Sequence, residues 1–210
     1  MSEEDMDKVI FLGEAGVGKT NLINITMGIA FNDQEAATSS ASFSTKKILV
    51  RGKDYTIKLW DTIGQEKFRT LTKLFYINAK IAIFVYDITQ KDTFEEIKNY
   101  WVKDVEEKLG KDIIKGIVAN KIDLFMNEQV TQEEGEEYAK SIGALFLSIS
   151  AKTDNPKKFE DFLSKLYEQY LIKNEANEAK LPLSKIQTKN KAIVLNKKKK
   201  NAGFSGKKCC

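Results

Sequence analysis

The stretch Gly13-Glu-Ala15-Gly16-Val17-Gly18-Lys19-Thr20 fits the pattern G-x-x-x-x-G-K-[ST]. Glycines let a chain wrap a phosphate, so backbone N–H groups from Ala15 to Thr20 can point at its oxygens. A helix starting at Lys19 adds its positive end. The Lys19 ammonium can neutralise β and γ phosphates, and the Thr20 hydroxyl can coordinate Mg²⁺. This loop alone leaves ATP and GTP open.

Two later clusters address the base. Asn120-Lys121-Ile-Asp123 places a carboxylate that can accept from N1–H and the 2-amino group of guanine. Adenine offers neither donor, and a buried unpaired acceptor costs roughly 1–3 kcal/mol. Ser150-Ala151-Lys152 can touch the base carbonyl and support that carboxylate. Asp61-Thr-Ile-Gly64-Gln65 supplies a third set. Asp61 can hold Mg²⁺ through a water, the Gly64 N–H can reach a γ-phosphate, and Gln65 can orient an attacking water. Phosphoryl transfer to water asks mainly for positioning and charge neutralisation. The chain has no histidine, so imidazole chemistry is excluded, and this chemistry needs none.

The elements that must carry these groups alternate. Apolar runs at Lys8–Leu12, Ile81–Tyr86, Ile113–Ala119 and Ala144–Ile149 read as buried strands. Phe43–Val50 and Tyr55–Trp60 flank Arg51-Gly-Lys-Asp54 as a hairpin. Asp92-Thr-Phe-Glu95 and Thr131-Gln-Glu-Glu134 look like capping boxes opening helices. Phe94, Ile97, Trp101, Val105 and Leu109 repeat at helical spacing, and a last helix runs from Pro156 to about Asn174. The fold class is α/β: a six-stranded mostly parallel sheet with one antiparallel edge strand and helices on both faces. Ligands in such sheets bind at the carboxyl ends of strands, where all the motifs fall.

The net charge of +4 is uneven. Residues 180–210 hold 10 of the 34 basic residues and none of the 30 acidic ones, so the body is mildly acidic. The organisation reads as an N-terminal extension (1–7), a nucleotide-binding domain (8–174) and a flexible basic tail (175–210) that ends in Cys209-Cys210. The acidic first residues do not read as a signal peptide, and Ser2 excludes N-myristoylation. No run of 18 or more apolar residues is present to span a membrane.

With these motifs together, residues 8 to about 170 resemble the Ras superfamily of small GTPases, and within it the Rab family. Trp60-Asp-Thr-Ile-Gly-Gln-Glu-Lys-Phe-Arg-Thr70, Val85-Tyr-Asp-Ile-Thr89 and Asn120-Lys-Ile-Asp-Leu124 carry the likeness. The resemblance implies a P-loop G domain, monomeric, that binds GTP/GDP with Mg²⁺ and hydrolyses GTP slowly unless activated. Gly13, Ala15, Gly16, Val17, Gly18, Lys19, Thr20, Asn21, Phe31, Thr38, Gly64, Asn120, Lys121, Asp123, Ser150, Ala151 and Lys152 are the implied nucleotide contacts. Thr20, Thr38 and Asp61 form the implied metal set, with Gln65 as catalytic residue. Phe43, Trp60 and Phe75 fall where Rabs present aromatics to effectors. The terminal Cys209-Cys210 resembles the Rab double prenylation signal, and two lipids anchor where one is marginal. Ile193-Val-Leu195 sits where Rabs often carry an island read by the escort protein.

Implied partners are an exchange factor, a GTPase-activating protein, a GDP-dissociation inhibitor, the escort protein and effectors, with no nucleic acid. The implied place is the cytosol and the cytoplasmic face of an intracellular membrane. Four departures from the family stand out. Ile63 replaces a near-constant Ala, Ser39-Ser-Ala-Ser42 replaces Ile-Gly-Val-Asp, Ile77 replaces Arg, and Ala15 puts a methyl group in the phosphate loop. Ile63 and Ala15 motivate an alternative expectation, a GTP-binding scaffold that hardly hydrolyses.

Overall fold

The computed structural model describes residues 6–34, 38, 41–62 and 75–179. Ile63, Gly64, Gln65, Ser39, Ser40, Ile193–Leu195, Cys209 and Cys210 lie outside the described residues.

Six strands form one sheet: β1 (Asp7–Leu12), β2 (Ser42–Val50), β3 (Lys53–Asp61), β4 (Ala79–Asp87), β5 (Ile114–Asn120) and β6 (Leu145–Ile149). Their spatial order is β2-β3-β1-β4-β5-β6. Only β2 runs antiparallel, paired with β3 at one edge; the other pairings are parallel. Among the described residues the helices are α1 (Lys19–Thr26), α2 (Lys91–Glu96), α3 (Val102–Leu109), α4 (Gln132–Ser141) and α5 (Pro156–Ala179). A π-helical turn, Ile97–Trp101, joins α2 to α3.

The strand residues sort by parity into two apolar layers, as a period of two requires. Ile10, Leu12, Ala82, Phe84, Tyr86, Ile117 and Ala119 share a cluster with Phe94, Ile97, Trp101 and Val105 from α2–α3, and with Ala139 from α4. Phe11 points to the other face and meets Phe159 of α5, ring centroids 6.0 Å apart. Gly116 lies beneath α5: a Cβ there would come within 2.9 Å of the Phe162 ring and 3.0 Å of Leu166. The central strands are thus covered on both faces and mostly apolar, whereas β2 at the edge leaves alternate residues exposed.

Three local expectations change. The hairpin turn is Arg51-Gly52, two residues rather than four. Arg51 (φ 51°) and Gly52 (φ 74°) both have positive φ, the twist that suits a two-residue hairpin. No capping box forms at Asp92: α2 starts at Lys91, and Gln90 caps it without a side-chain bond. Thr93 instead turns inward, its hydroxyl donating to the Gln90 carbonyl at 2.7 Å. The box at Thr131 and Glu134 does form, with both reciprocal bonds present. The last helix continues to Ala179, so residues 175–179 of the expected tail are helical. Compactness divides the chain at Tyr170/Leu171; in the second unit the described residues, 171–179, are helix.

Candidate functional site

β1 ends at Leu12, and the chain wraps from Gly13 into α1. Gly13, Gly16 and Gly18 have φ of 136°, 77° and 97°, a region that side chains rarely enter. Close approach adds a second reason at two of them. A Cβ on Gly13 would lie 2.2 Å from the Val85 carbonyl oxygen, and one on Gly18 2.3 Å from Asn120 Nδ2. Lys19 folds back into the loop and donates to the carbonyls of Gly13 (2.9 Å) and Glu14 (2.8 Å). It is only 5% exposed. Burial lowers its pKa to about 8, against the pull of Asp61 and Glu14. Desolvation is the cost of charging this ammonium here, and a phosphate beside it would offset that cost.

Three oxygen-bearing side chains meet next to Lys19. The Thr20 hydroxyl donates to Asp61 Oδ2 at 2.7 Å and lies 2.9 Å from Thr38 Oγ1; Thr38 reaches the same carboxylate oxygen at 3.5 Å. Two hydroxyls and one carboxylate make a hard donor set with no nitrogen or sulfur, which suits Mg²⁺. The set is also too sparse for a closed protein cage, so it fits an ion shared with phosphate oxygens and water. Mg²⁺ would supply charge neutralisation between the phosphates.

The far end of the site is knitted by Asn120. Its Nδ2 donates to the Val17 carbonyl (2.8 Å), and its Oδ1 accepts from the Ala151 N–H (3.1 Å). One buried amide thus ties the phosphate loop to the loop after β6. The Ser150 hydroxyl donates to Asp123 Oδ1 at 2.6 Å, leaving the rest of that carboxylate for a ligand. Lys121 has positive φ (68°), and its ammonium pairs with Asp87 at 2.7 Å. Asn21 exchanges bonds with the Asn32 backbone at 3.2 and 3.3 Å, fixing the strap that carries Phe31. Lys152 pairs with Asp33 at 3.0 Å, and its ammonium lies 5.7 Å from the Phe31 ring centre.

These groups surround one cavity of about 410 Å³. Ala15, Gly16, Gly18, Lys19, Thr20, Asn21, Phe31, Thr38, Asn120, Lys121, Asp123, Ala151 and Lys152 line it. Gly13, Val17 and Ser150 do not; they act from behind the wall through the contacts above. Asn32, Asp33 and Leu124 also line the cavity, although the motifs did not single them out. Leu124 simply follows Asp123, whereas Asp33 carried no local signal. Trp101 is another unforeseen neighbour: its indole N–H donates to Glu14 Oε1 at 3.0 Å, behind the phosphate loop.

The three aromatics of the hairpin side also meet. Phe43 stacks on Trp60 at 5.3 Å, and Phe75 tilts against Trp60 at 5.9 Å. Phe43 is 42% exposed.

A sheet whose central strand feeds a phosphate loop, with base-reading loops after two neighbouring strands, is a P-loop nucleotide-binding domain. The chain belongs to the Ras family of small GTPases: the family profile matches residues 8–171. It is 38% identical to "Ras-related protein Rab-21" of Homo sapiens over 207 residues, covering 97% of this chain and 90% of that protein. Over 145 residues it is 46% identical to "Ras-related protein Rab-21" of Canis lupus familiaris, 69% of this chain and 65% of that protein. It is 40% identical to "Ras-related protein Rab-18" of Caenorhabditis elegans over 162 residues, 76% and 79% of the two chains. No helix among the described residues is long and apolar enough to cross a membrane.

Proposed function

We propose that the chain is a Rab-type GTP switch of intracellular membrane traffic, held on a cytoplasmic membrane face by prenyl groups on Cys209 and Cys210. The observation that carries the nucleotide reading is the continuity of one cavity. It runs from Lys19, Thr20 and Thr38, with Asp61 held behind Thr20, to Asp123, whose carboxylate Ser150 braces. Phosphate- and metal-binding groups at one end of the cavity and a guanine-matching carboxylate at the other support GTP as its ligand.

In this reading Lys19 and the loop N–H groups bind the phosphates. Thr20, Thr38 and Asp61 would hold Mg²⁺. Asn120 keeps the two ends of the site in register, and Asp123 selects guanine by accepting two hydrogen bonds. Thr38 senses the nucleotide: its hydroxyl stands 2.9 Å from that of Thr20, beside the metal-binding oxygens. Gly64 reports the γ-phosphate, and Gln65 orients the attacking water. Loss of the γ-phosphate removes what holds the segments around Thr38 and Gly64, which then relax. Intrinsic turnover is slow, and an activating protein that supplies an arginine in trans raises it on the order of 10³–10⁵-fold. The tail lysines add attraction to anionic lipid, about 1 kcal/mol each when close to the surface. Exchange factor, GDP-dissociation inhibitor, escort protein and effectors complete the cycle.

Single-turnover assays of GTP-loaded protein, with and without a Rab-activating protein, test the enzyme reading. The expected result is slow phosphate release alone and fast release with the activator. No release in either case would leave a GTP-binding scaffold. Ala15 on the cavity wall and Ile63 beside Gly64 are the residues that would account for it. Recovery of turnover in Ile63→Ala would then locate the block. Replacing Cys209 and Cys210 by Ser should release the protein from membranes; unchanged membrane fractionation would refute the anchor.

A further inference from the structure

On the face of the β2–β3 hairpin that carries Ile48 and Ile57, two cations have acids, while Lys53 stands 5.2 Å from the Tyr55 ring centre. Lys46 pairs with Glu160 at 2.6 Å, and Arg51 pairs with Glu168 at 3.0 Å. The opposite, open face differs. Lys8 of β1 lies directly across from Lys58 of β3, and Thr45, the β2 partner of Lys58, is followed on the same face by Lys47. None of Lys8, Lys47 and Lys58 forms a salt bridge with a described residue. Two of them stand over aromatic rings instead. Lys8 Nζ is 3.9 Å from the Trp60 ring centre, and Lys58 Nζ is 4.8 Å from that of Phe43. Burial, with Lys58 adding repulsion, lowers the Lys8 pKa to about 8. Like charges placed directly opposite one another in a sheet are destabilising. The face therefore combines a flat apolar centre with cations that have no acid within the described fold.

We propose that this face takes an acidic protein segment, whose carboxylate seats between Lys8 and Lys58 while its apolar side chains cover Phe43 and Trp60. The proposal rests on reading Phe43, Trp60 and Phe75 as the partner surface, and adds the chemistry of the partner. The interface would have an aromatic centre and a charged rim, with complementary charge setting which partners are accepted. The chain's own tail from residue 180 has ten lysines and no acid, so it offers no carboxylate. A lipid surface fits less well, because Phe43 lies stacked flat on Trp60 rather than protruding.

The test is selection of displayed random peptides on the full chain loaded with a non-hydrolysable GTP analogue, followed by affinity measurements on synthesised binders. Binders should carry Asp or Glu beside Leu or Phe. Their Gln/Asn-substituted twins should bind on the order of tenfold more weakly, as should Lys58→Gln protein. Lys58→Glu should weaken binding further, with GDP loading unchanged as the check on folding. Binders without acids, no binders, or indifference to both Lys58 variants would overturn the proposal. If Phe43→Ala still abolishes binding in the indifferent case, the partner surface stands and only its acidic chemistry falls. If Phe43→Ala is also silent, both fall. Lys58-dependent binding to phosphatidylserine vesicles without acidic binders, or Lys58-dependent self-association, would give the face to lipid or to a second copy instead.

Discussion

Replacing Asn120 by Ala should loosen nucleotide binding by untying the two loops that this side chain joins. Asn120 is 1% exposed and makes two bonds, one to the Val17 carbonyl and one from the Ala151 N–H. Truncation leaves both backbone groups without that partner. At roughly 1–3 kcal/mol for each stranded group, the cost is about 2–6 kcal/mol. Shared between folding and binding, even the low end corresponds to GDP release faster by about an order of magnitude. Release of a fluorescent GDP analogue and urea midpoints of the GDP-bound protein read the two shares. A second substitution tests the geometry itself. Gly18→Ala alone forces a Cβ to 2.3 Å from Asn120 Nδ2, at φ 97°. In the Asn120→Ala background the clash is gone and only the strain of positive φ remains, about 1–2 kcal/mol. The two substitutions should therefore be less damaging together than their sum. GDP release within twofold of wild type in Asn120→Ala, or strict additivity in the double variant, would refute the account of Asn120 as the tie between loops.

Three further outcomes are expected. Wild type should prefer GDP to IDP, which lacks the 2-amino group, by roughly tenfold, and Asp123→Asn should abolish that preference; a competition assay reads both. Thr131→Ala removes the working capping box of α4 and should cost about 1 kcal/mol in urea denaturation, while Asp92→Ala, where no box forms, should cost far less. The folded pKa of Lys8, about 8, lies below its ordinary 10.5, so the unfolded chain binds more protons between those values. Relative to Lys8→Met, wild type should therefore gain stability as pH rises from about 8 to 10.5, read from urea midpoints. A difference that is flat across that range would show that Lys8 titrates normally.

The sequence carried the site more fully than the connections around it. Motifs such as Gly13–Thr20 and Asn120–Asp123 are legible because backbone approach and hydrogen-bond matching restrict residue type at each position. The alternation of strands and helices was legible for the same reason, since buried strands must be apolar on both faces. The two-residue hairpin was not, because Lys53 and Asp54 look like turn residues yet pair with Val50 and Leu49 at the sheet edge. The Asp92 box failed because Thr93 found better partners inside. Asp33 and Trp101 were invisible as site neighbours. Their contacts join positions 119 and 87 residues apart, and no local spacing announces such a pair.

The bond between Trp101 and Glu14 gives the protein an optical property. The chain has two tryptophans. One indole is fully buried and donates to a carboxylate of the phosphate loop; the other lies half-buried under the Lys8 ammonium. Intrinsic emission therefore has two components with separate environments. A dissolved quencher such as acrylamide should reach Trp60 and spare Trp101. Events in the nucleotide loop and events on the aromatic face can then be followed in one unlabelled sample, as changes in two separable lifetimes.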